Sequence, residues 1–386
     1  MITFTSNESE ERSFVRSAVA QIAADFGHQA YLDAARRGEF PEGLWSPLAE
    51  AGFAGVNVSE DFGGAGGSLS DLAVVAEEVA AQGCPLMTLV VSPGMCVPII
   101  QRYGNPEQRN AWLGGLGDGS IRMSFALTEP DAGTNTHALR STAEKVDDGW
   151  VLRGEKYYIS GLDHAEAFMT VVKTGTRDDG RAQLSIFVVD TNARGVVKSP
   201  IDMSVVAAER QFVLSFDDIH VPDDALIGTA GAGLAQLFEG LNPERVLSAA
   251  TCVGLGRFAL EKAVAYANER SVWKAPIGSH QAIAHPLARA YARLVSARNL
   301  LYSAAEAHDA GVSDGLLAAV AKYEASHAAE AALDAAIQTH GGNGLSHEYG
   351  LSEMWGIVRM YRIAPVSDEM VLNHLATNAL GLPRSY

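Results

Sequence analysis

The feature that most constrains the fold of this 386-residue chain is a change of hydrophobic period that happens twice along its length. From Asn7 to about Phe26, apolar side chains recur at Phe14, Val15, Ala18, Val19, Ile22 and Phe26, the stripe of an amphipathic helix behind a Ser/Asn cap. Leu44 to Ala51 and Asp71 to Ala81 read the same way, and Phe62-Gly63-Gly64-Ala65-Gly66-Gly67-Ser68 between them is a glycine turn capped by Asp71. Between about Ser120 and Pro222 the pattern becomes β-branched alternation broken by turns, at Val151 to Leu152, Met169 to Lys173, Leu184 to Val189 and Gln211 to Phe216. After Gly233 the chain is again helical and alanine-rich, over about 244 to 269, 280 to 308 and 314 to 340, lengths that suit an antiparallel bundle. The expected fold is mostly α with a small antiparallel β domain at its centre. A helical domain covers 1–119, the β domain 120–229 and a helical bundle 230–386.

A net charge of −17 repels nucleic-acid phosphates and anionic membrane surfaces, so neither is an expected partner. Cys84, Cys96 and Cys252 lie far apart without CxxC spacing, which fits a reduced compartment better than a disulfide framework or a zinc site. The first eight residues are acidic rather than basic or Arg-rich, and nowhere do about eighteen apolar residues run without a charge. A cytoplasmic location is therefore expected. Three apparent motifs carry no chemistry. Gly254-Leu255-Gly256-Arg257-Phe258-Ala259 matches GxGxxA but lies in a helical run with no preceding strand, so it reads as helix packing. The Gly63 to Gly67 loop has no following Lys-Ser/Thr, and His347-Glu348 has no second His four positions on.

Two segments of the β block do carry chemistry. Phe125-Ala126-Leu127-Thr128-Glu129-Pro130-Asp131-Ala132-Gly133-Thr134-Asn135 ends a β run in small, turn-forming residues, which expose backbone N–H groups and hydroxyls to a polar ligand. Gly154-Glu155-Lys156-Tyr157-Tyr158-Ile159-Ser160-Gly161 puts Tyr158 and Ser160 at alternate strand positions, so one face offers an aromatic wall and a hydrogen-bond donor. In this order and spacing the pair resembles the flavin-binding signature of the acyl-CoA dehydrogenase family, and the likeness extends from about Asn7 to Leu380. The resemblance implies a helical N-terminal domain, a β middle domain and a C-terminal four-helix bundle. It also implies bound FAD, with Phe125, Leu127, Thr128, Gly133, Thr134, Tyr158 and Ser160 at the cofactor.

Farther on, Arg270-Ser271-Val272-Trp273, Gln281 and Gln338-Thr339-His340-Gly341-Gly342-Asn343-Gly344 resemble the remaining family motifs. There the counterparts of Arg270, Trp273 and Gln281 reach the cofactor of a neighbouring subunit, and the segment holding Gln338 and Gly342 approaches its adenylate end. Arg270 alone would read as a solvated helix end; its spacing to Gln281 and the glycines favours the cofactor role. A homo-oligomer, a dimer of dimers, is implied.

Family chemistry removes the α-proton of an acyl-CoA thioester with a carboxylate while hydride leaves Cβ for the flavin. Many members place that Glu near the C-terminus; here Ile363-Ala364-Pro365-Val366-Ser367-Asp368-Glu369-Met370 puts Pro365 there. A second subgroup places it on the earlier long helix, where this chain has Leu241-Asn242-Pro243-Glu244-Arg245. Asn242, Pro243 and Glu244 also read as an ordinary helix start, N-cap, N1 and first turn. With Pro365 vacating the other site, the resemblance assigns the base to Glu244, with Arg245 orienting it or lining the acyl pocket. A helix N-terminus would lower the basicity of Glu244 while burial would raise it. In the family a backbone N–H at this position helps hold the thioester carbonyl; proline removes that donor, unless Val366 N–H or a shifted loop replaces it. Ser367 and Glu369 fall in the segment that follows the turn and contacts flavin in the family. The expected activity is acyl-CoA dehydrogenation in fatty acid metabolism, with an electron-transferring flavoprotein as acceptor. A flavin oxidase or monooxygenase of the same fold, or a non-catalytic flavoprotein subunit, are the alternatives.

Overall fold

The computed structural model describes residues 8–312 and 315–384, so Asn7, Asp314 and the segment before Glu8 lie outside the described residues. The first helix, Glu10–Phe26, begins where the Ser9 hydroxyl accepts from Arg12 N at 3.2 Å. The helix expected at Leu44 is Glu42–Glu50, and the one expected at Asp71 is Leu69–Ala81. The latter starts with a reciprocal cap, in which Ser68 accepts from Asp71 N and the Asp71 carboxylate accepts from Ser68 N at 2.8 Å. Next comes a helical run over 87–103 that the apolar pattern did not resolve. Its middle, Ser92–Cys96, is one buried turn of π-helix.

Eight strands form the central sheet: β1 Met123–Ala126, β2 Thr142–Val146, β3 Gly149–Ser160, β4 Ala167–Thr176, β5 Ala182–Asp190, β6 Val196–Pro200, β7 Gln211–Val221 and β8 Leu226–Ile227. They run in the order β6-β7-β3-β2-β4-β5-β8, with β1 beside β4. The sheet is antiparallel except where β4 meets β1 and, at one pair, β2. All four stretches of alternation lie in these strands; β1, β2, β6 and β8 are too short for a period to show.

The largest difference lies in the third block. The long helix spans Gly233–Glu269, 37 residues, and Pro243 sits inside it rather than at its first turn. The Asn-Pro-Glu sequence does satisfy the local rules of a helix start, but burial overrides them. Leu237 and Gly240 are buried, and a Cβ on Gly240 would stand 2.9 Å from Met95 O, so the 87–103 run presses against the helix upstream of the proline. Helices Gln281–Asp309 and Gly315–His340 follow, then Leu351–Met360 and Asp368–Asn378.

One hydrophobic core joins the N- and C-terminal helices: Leu72, Val75 and Val79 pack in one cluster with Val246, Leu255, Phe258, Leu294 and Leu333. Gly254 lies at this contact, where a Cβ would overlap the Glu77 carbonyl, so the GxGxxA run is indeed a packing surface. The sheet has clusters of its own. Among the described residues no helix is long and apolar enough to cross a membrane.

Candidate active site

Glu244 is eleven residues past Gly233, deep in the long helix, so the partial charge of a helix N-terminus does not act on it. Burial raises its carboxyl to about 8, against the opposing pull of Arg245. The residue is half-buried and faces Cys96, whose thiol burial also raises. Arg245 turns away: its Nη1 donates to Asn242 Oδ1 at 3.0 Å, toward Gly315. It acts on Glu244 through charge rather than through a hydrogen bond.

The 361–367 turn closes over the same stretch of helix. Tyr361 is hydrogen-bonded to Thr251 and feels the charge of both Glu244 and Glu209. Lys322, fully buried, donates to the Val366 carbonyl at 2.7 Å and lies 3.4 Å from Asp368, which also accepts from His327 Nε2 at 2.9 Å and Arg362 Nε at 2.8 Å. Pro365 has no N–H, and among the described residues no acceptor takes that of Val366. Ser367 caps the last helix by accepting from Met370 N, and Glu369 is exposed.

The β-side residues surround a structural pair that sequence reasoning missed. Lys156, with no exposed surface, donates to Glu129 Oε1 at 2.7 Å, to Val171 O at 2.6 Å and to Leu127 O at 3.1 Å. Burial pulls its ammonium down to about 8, with Glu129 opposing. Glu129 in turn accepts from Arg140 N at 2.6 Å and Ser141 N at 3.0 Å. The pair thereby fixes the loop after β1 against β3 and β4. The charged residues within both motifs, Glu129 and Lys156, were the available signal. Lys156→Met leaves Glu129 buried without its cation, and we expect a loss of about 3 kcal/mol of stability in thermal unfolding.

Tyr158 has φ of 59° beside a β-bulge, so the simple alternation expected of Tyr158 and Ser160 is interrupted there. Its ring is 55% exposed. The Ser160 hydroxyl pairs with the Gln211 amide at 2.9–3.1 Å, and Ser160 O accepts from Ser124 Oγ at 2.8 Å. Phe125, Leu127 and Thr128 are partly exposed, and Gly133 and Thr134 are exposed; a Cβ on Gly133 would meet nothing. Ser160 and Gly161 share a cavity with Met87, Thr88, Val91, Ser124 and Glu209.

The remaining predicted positions belong to the C-terminal helices. Arg270 ends the long helix; Trp273, 87% exposed with φ of 50°, tips the hairpin formed by Ser271–Val272 and Ala275–Pro276; Gln281 opens the next helix. Gln338 and Gly342 are exposed, and Gly342 would admit a Cβ freely. An aromatic ring, a guanidinium and bare backbone at the surface fit the stacking, pyrophosphate and close-approach needs of a dinucleotide flavin.

Three family models match the chain, described as acyl-CoA dehydrogenase N-terminal domain over residues 9–120, middle domain over 124–219 and C-terminal domain over 231–380. The acyl-CoA dehydrogenase FadE12 of Mycobacterium tuberculosis is 46% identical over 381 residues, covering 98% of each chain. Among solved structures, a glutaryl-coenzyme A dehydrogenase complex with glutaryl-CoA superposes with a TM-score of 0.92 at 28% identity, covering 99% of this chain and 98% of the other. Butyryl-CoA dehydrogenase from Megasphaera elsdenii gives 0.91 at 25% identity, covering 97% and 99%.

Proposed function

Since the chain belongs to the acyl-CoA dehydrogenase family of flavoprotein oxidoreductases, we propose that it dehydrogenates an acyl-CoA thioester between Cα and Cβ, with Glu244 as the base. The observation that carries this reading is the enclosed carboxyl of Glu244, raised to about 8 by burial and free of any helix-end stabilisation. A carboxylate in that setting is basic enough to take a proton from the carbon beside a thioester.

FAD supplies the hydride acceptor when bound. The loop braced by Glu129 and Lys156, with Thr128, Gly133 and Thr134, would hold it on one side, and Tyr158 and Ser160 would flank its ring. Arg270, Trp273, Gln281, Gln338 and Gly342 lie on the other helical body, and their exposure supports a cofactor shared with a neighbouring copy in a dimer of dimers. Ser367 and Glu369 are the least supported cofactor contacts, because Ser367 already serves as a cap. Val366 N–H, with its carbonyl held by Lys322, takes over the thioester-carbonyl contact that Pro365 cannot make. Electron-transferring flavoprotein is the expected oxidant.

The test is anaerobic bleaching of the purified flavoprotein by straight, branched and cyclic acyl-CoA thioesters. Bleaching by at least one supports dehydrogenation, whereas a yellow protein that none reduces moves the function to oxygen chemistry or to a binding role. The pH profile is a second expectation. A general base works only when ionised, so the reduction rate at limiting substrate should rise about tenfold per pH unit below 8 and level off above it. A flat profile between pH 6 and 9 would remove Glu244 as the titrating base.

A further inference from the structure

We infer that Ser248 selects for an oxygen atom in the acyl chain, so that the substrates of this site are thioesters carrying a hydroxyl, ether or carbonyl rather than plain alkyl chains. The inference rests on Glu244 being the base of a dehydrogenase.

Ser248 is 1% exposed, and its hydroxyl has no hydrogen-bond partner among the described residues. Hydroxyls inside helices commonly donate to the carbonyl four residues back, as Thr251 does to Leu247 O at 3.1 Å and Thr339 to Ala335 O at 2.7 Å. Ser248 does not bond in this way to Glu244 O. A buried hydroxyl left without a partner is destabilising, and native proteins carry few of them without a reason in function.

Its place explains what it serves. Ser248 follows Glu244 by one turn on the same face of the long helix. Two elements bracket that face. On one flank the 87–103 run closes down: Gly240 meets Met95 and Ile99, and a Cβ on Gly94 would overlap Leu247 Cδ1. On the other flank Tyr361 bonds Thr251 and feels both Glu244 and Glu209. Glu244 and Ser248 lie beside these contacts, each within two turns of Leu247 and Thr251 along the helix. Glu209, the other carboxyl whose charge reaches Tyr361, is already matched by Thr88 N at 2.8 Å and Thr88 Oγ1 at 2.9 Å.

Distance sets the position of the oxygen. One helical turn is a rise of about 5.4 Å, which an extended chain covers in about four bonds. A substrate whose α-carbon stands at Glu244 therefore presents its oxygen to Ser248 when the oxygen lies about four bonds beyond the α-carbon.

The experiment uses the flavin-loaded protein and two thioesters of equal length, octanoyl-CoA and its analogue with an ether oxygen replacing the methylene four bonds beyond the α-carbon. Anaerobic stopped-flow bleaching gives rate and affinity for each, in the native protein and in Ser248→Ala and Ser248→Thr. The native protein should favour the ether by about tenfold or more, Ser248→Ala should lose that preference, and Ser248→Thr should retain most of it. Flavin content and visible spectrum certify that each variant is folded. Equal use of both thioesters by the native protein overturns the inference while leaving the dehydrogenase standing. A Ser248→Ala variant that slows both thioesters equally also overturns it, because the hydroxyl would then serve a part common to every thioester. If no thioester bleaches the native protein, the dehydrogenase reading falls first and this inference falls with it.

Discussion

Replacing Glu244 with Gln should slow flavin reduction by about 10²–10⁴-fold while leaving FAD bound and the fold intact. Gln keeps the volume and polarity of the carboxyl but cannot accept the α-proton. Burial disfavours the charged form of Glu244, so the neutral amide removes a desolvation cost and should not destabilise the protein. Thioester affinity, followed by the perturbation of the flavin spectrum, should therefore stay within a few-fold of the native value. The combination of retained binding and lost rate identifies a base. An equal loss of both would instead mark Glu244 as a binding residue, and full retention of rate would send the search for the base to Glu209, the other enclosed carboxyl near Tyr361.

The second large effect concerns stability and lies far from the chemistry. Glu77 has no exposed surface and is bonded to three guanidinium-bearing residues, Arg16 at 3.1 Å, Arg257 at 2.9 Å and Arg298 at 2.8 Å, while Tyr302 donates to it at 2.5 Å. Burial alone would raise its carboxyl, but Arg16, Arg298 and Arg257 together hold it well below the usual carboxylate range. Glu77→Ala leaves those cations facing one another without their central carboxylate, although Glu78 and Glu8 still lie beside them, and we expect a loss of about 3–5 kcal/mol. The exposed pair Arg37–Glu39, at 2.8 Å, gives the contrast: Glu39→Ala should cost less than about 1 kcal/mol. Thermal unfolding of both variants decides it, and equal shifts would remove the cluster from the account of stability. Because the carboxyl of Glu77 is depressed in the folded protein, its contribution is present above about pH 4.5 and is lost as pH falls below that.

Much of the architecture was legible because period and length are statistical properties of long segments. The helices at Glu10, Leu69, Gln281 and Gly315 agree with the stretches that their patterns marked to within a few residues, and the strands β3, β4, β5 and β7 contain theirs. What was illegible depended on neighbours distant in sequence. Asn242-Pro243-Glu244 obeys every local rule for a helix start, and only the packing of Gly240 on Met95 and Ile99 shows why the helix runs through it. The consequence reaches the site, since a carboxylate at a helix end and one in a helix interior differ in basicity. Glu129 and Lys156 stood in plain view within the motifs, but their pairing across 27 residues needs the sheet to bring them together. Ser248 carried no sequence signal, because a serine in an alanine-rich helix is unremarkable until its hydroxyl is found without a partner.

The core shared by the first and last helical blocks bears on how the chain must be made. Leu72, Val75 and Val79 leave the ribosome well before Val246, Leu255 and Leu333, the residues that cover them. At about 5–20 residues per second, that interval is on the order of ten seconds or more, and the intervening sheet can fold within it from its own contacts. The nascent N-terminal helices must therefore wait with their apolar faces uncovered, which makes them the natural client segment for a holding chaperone.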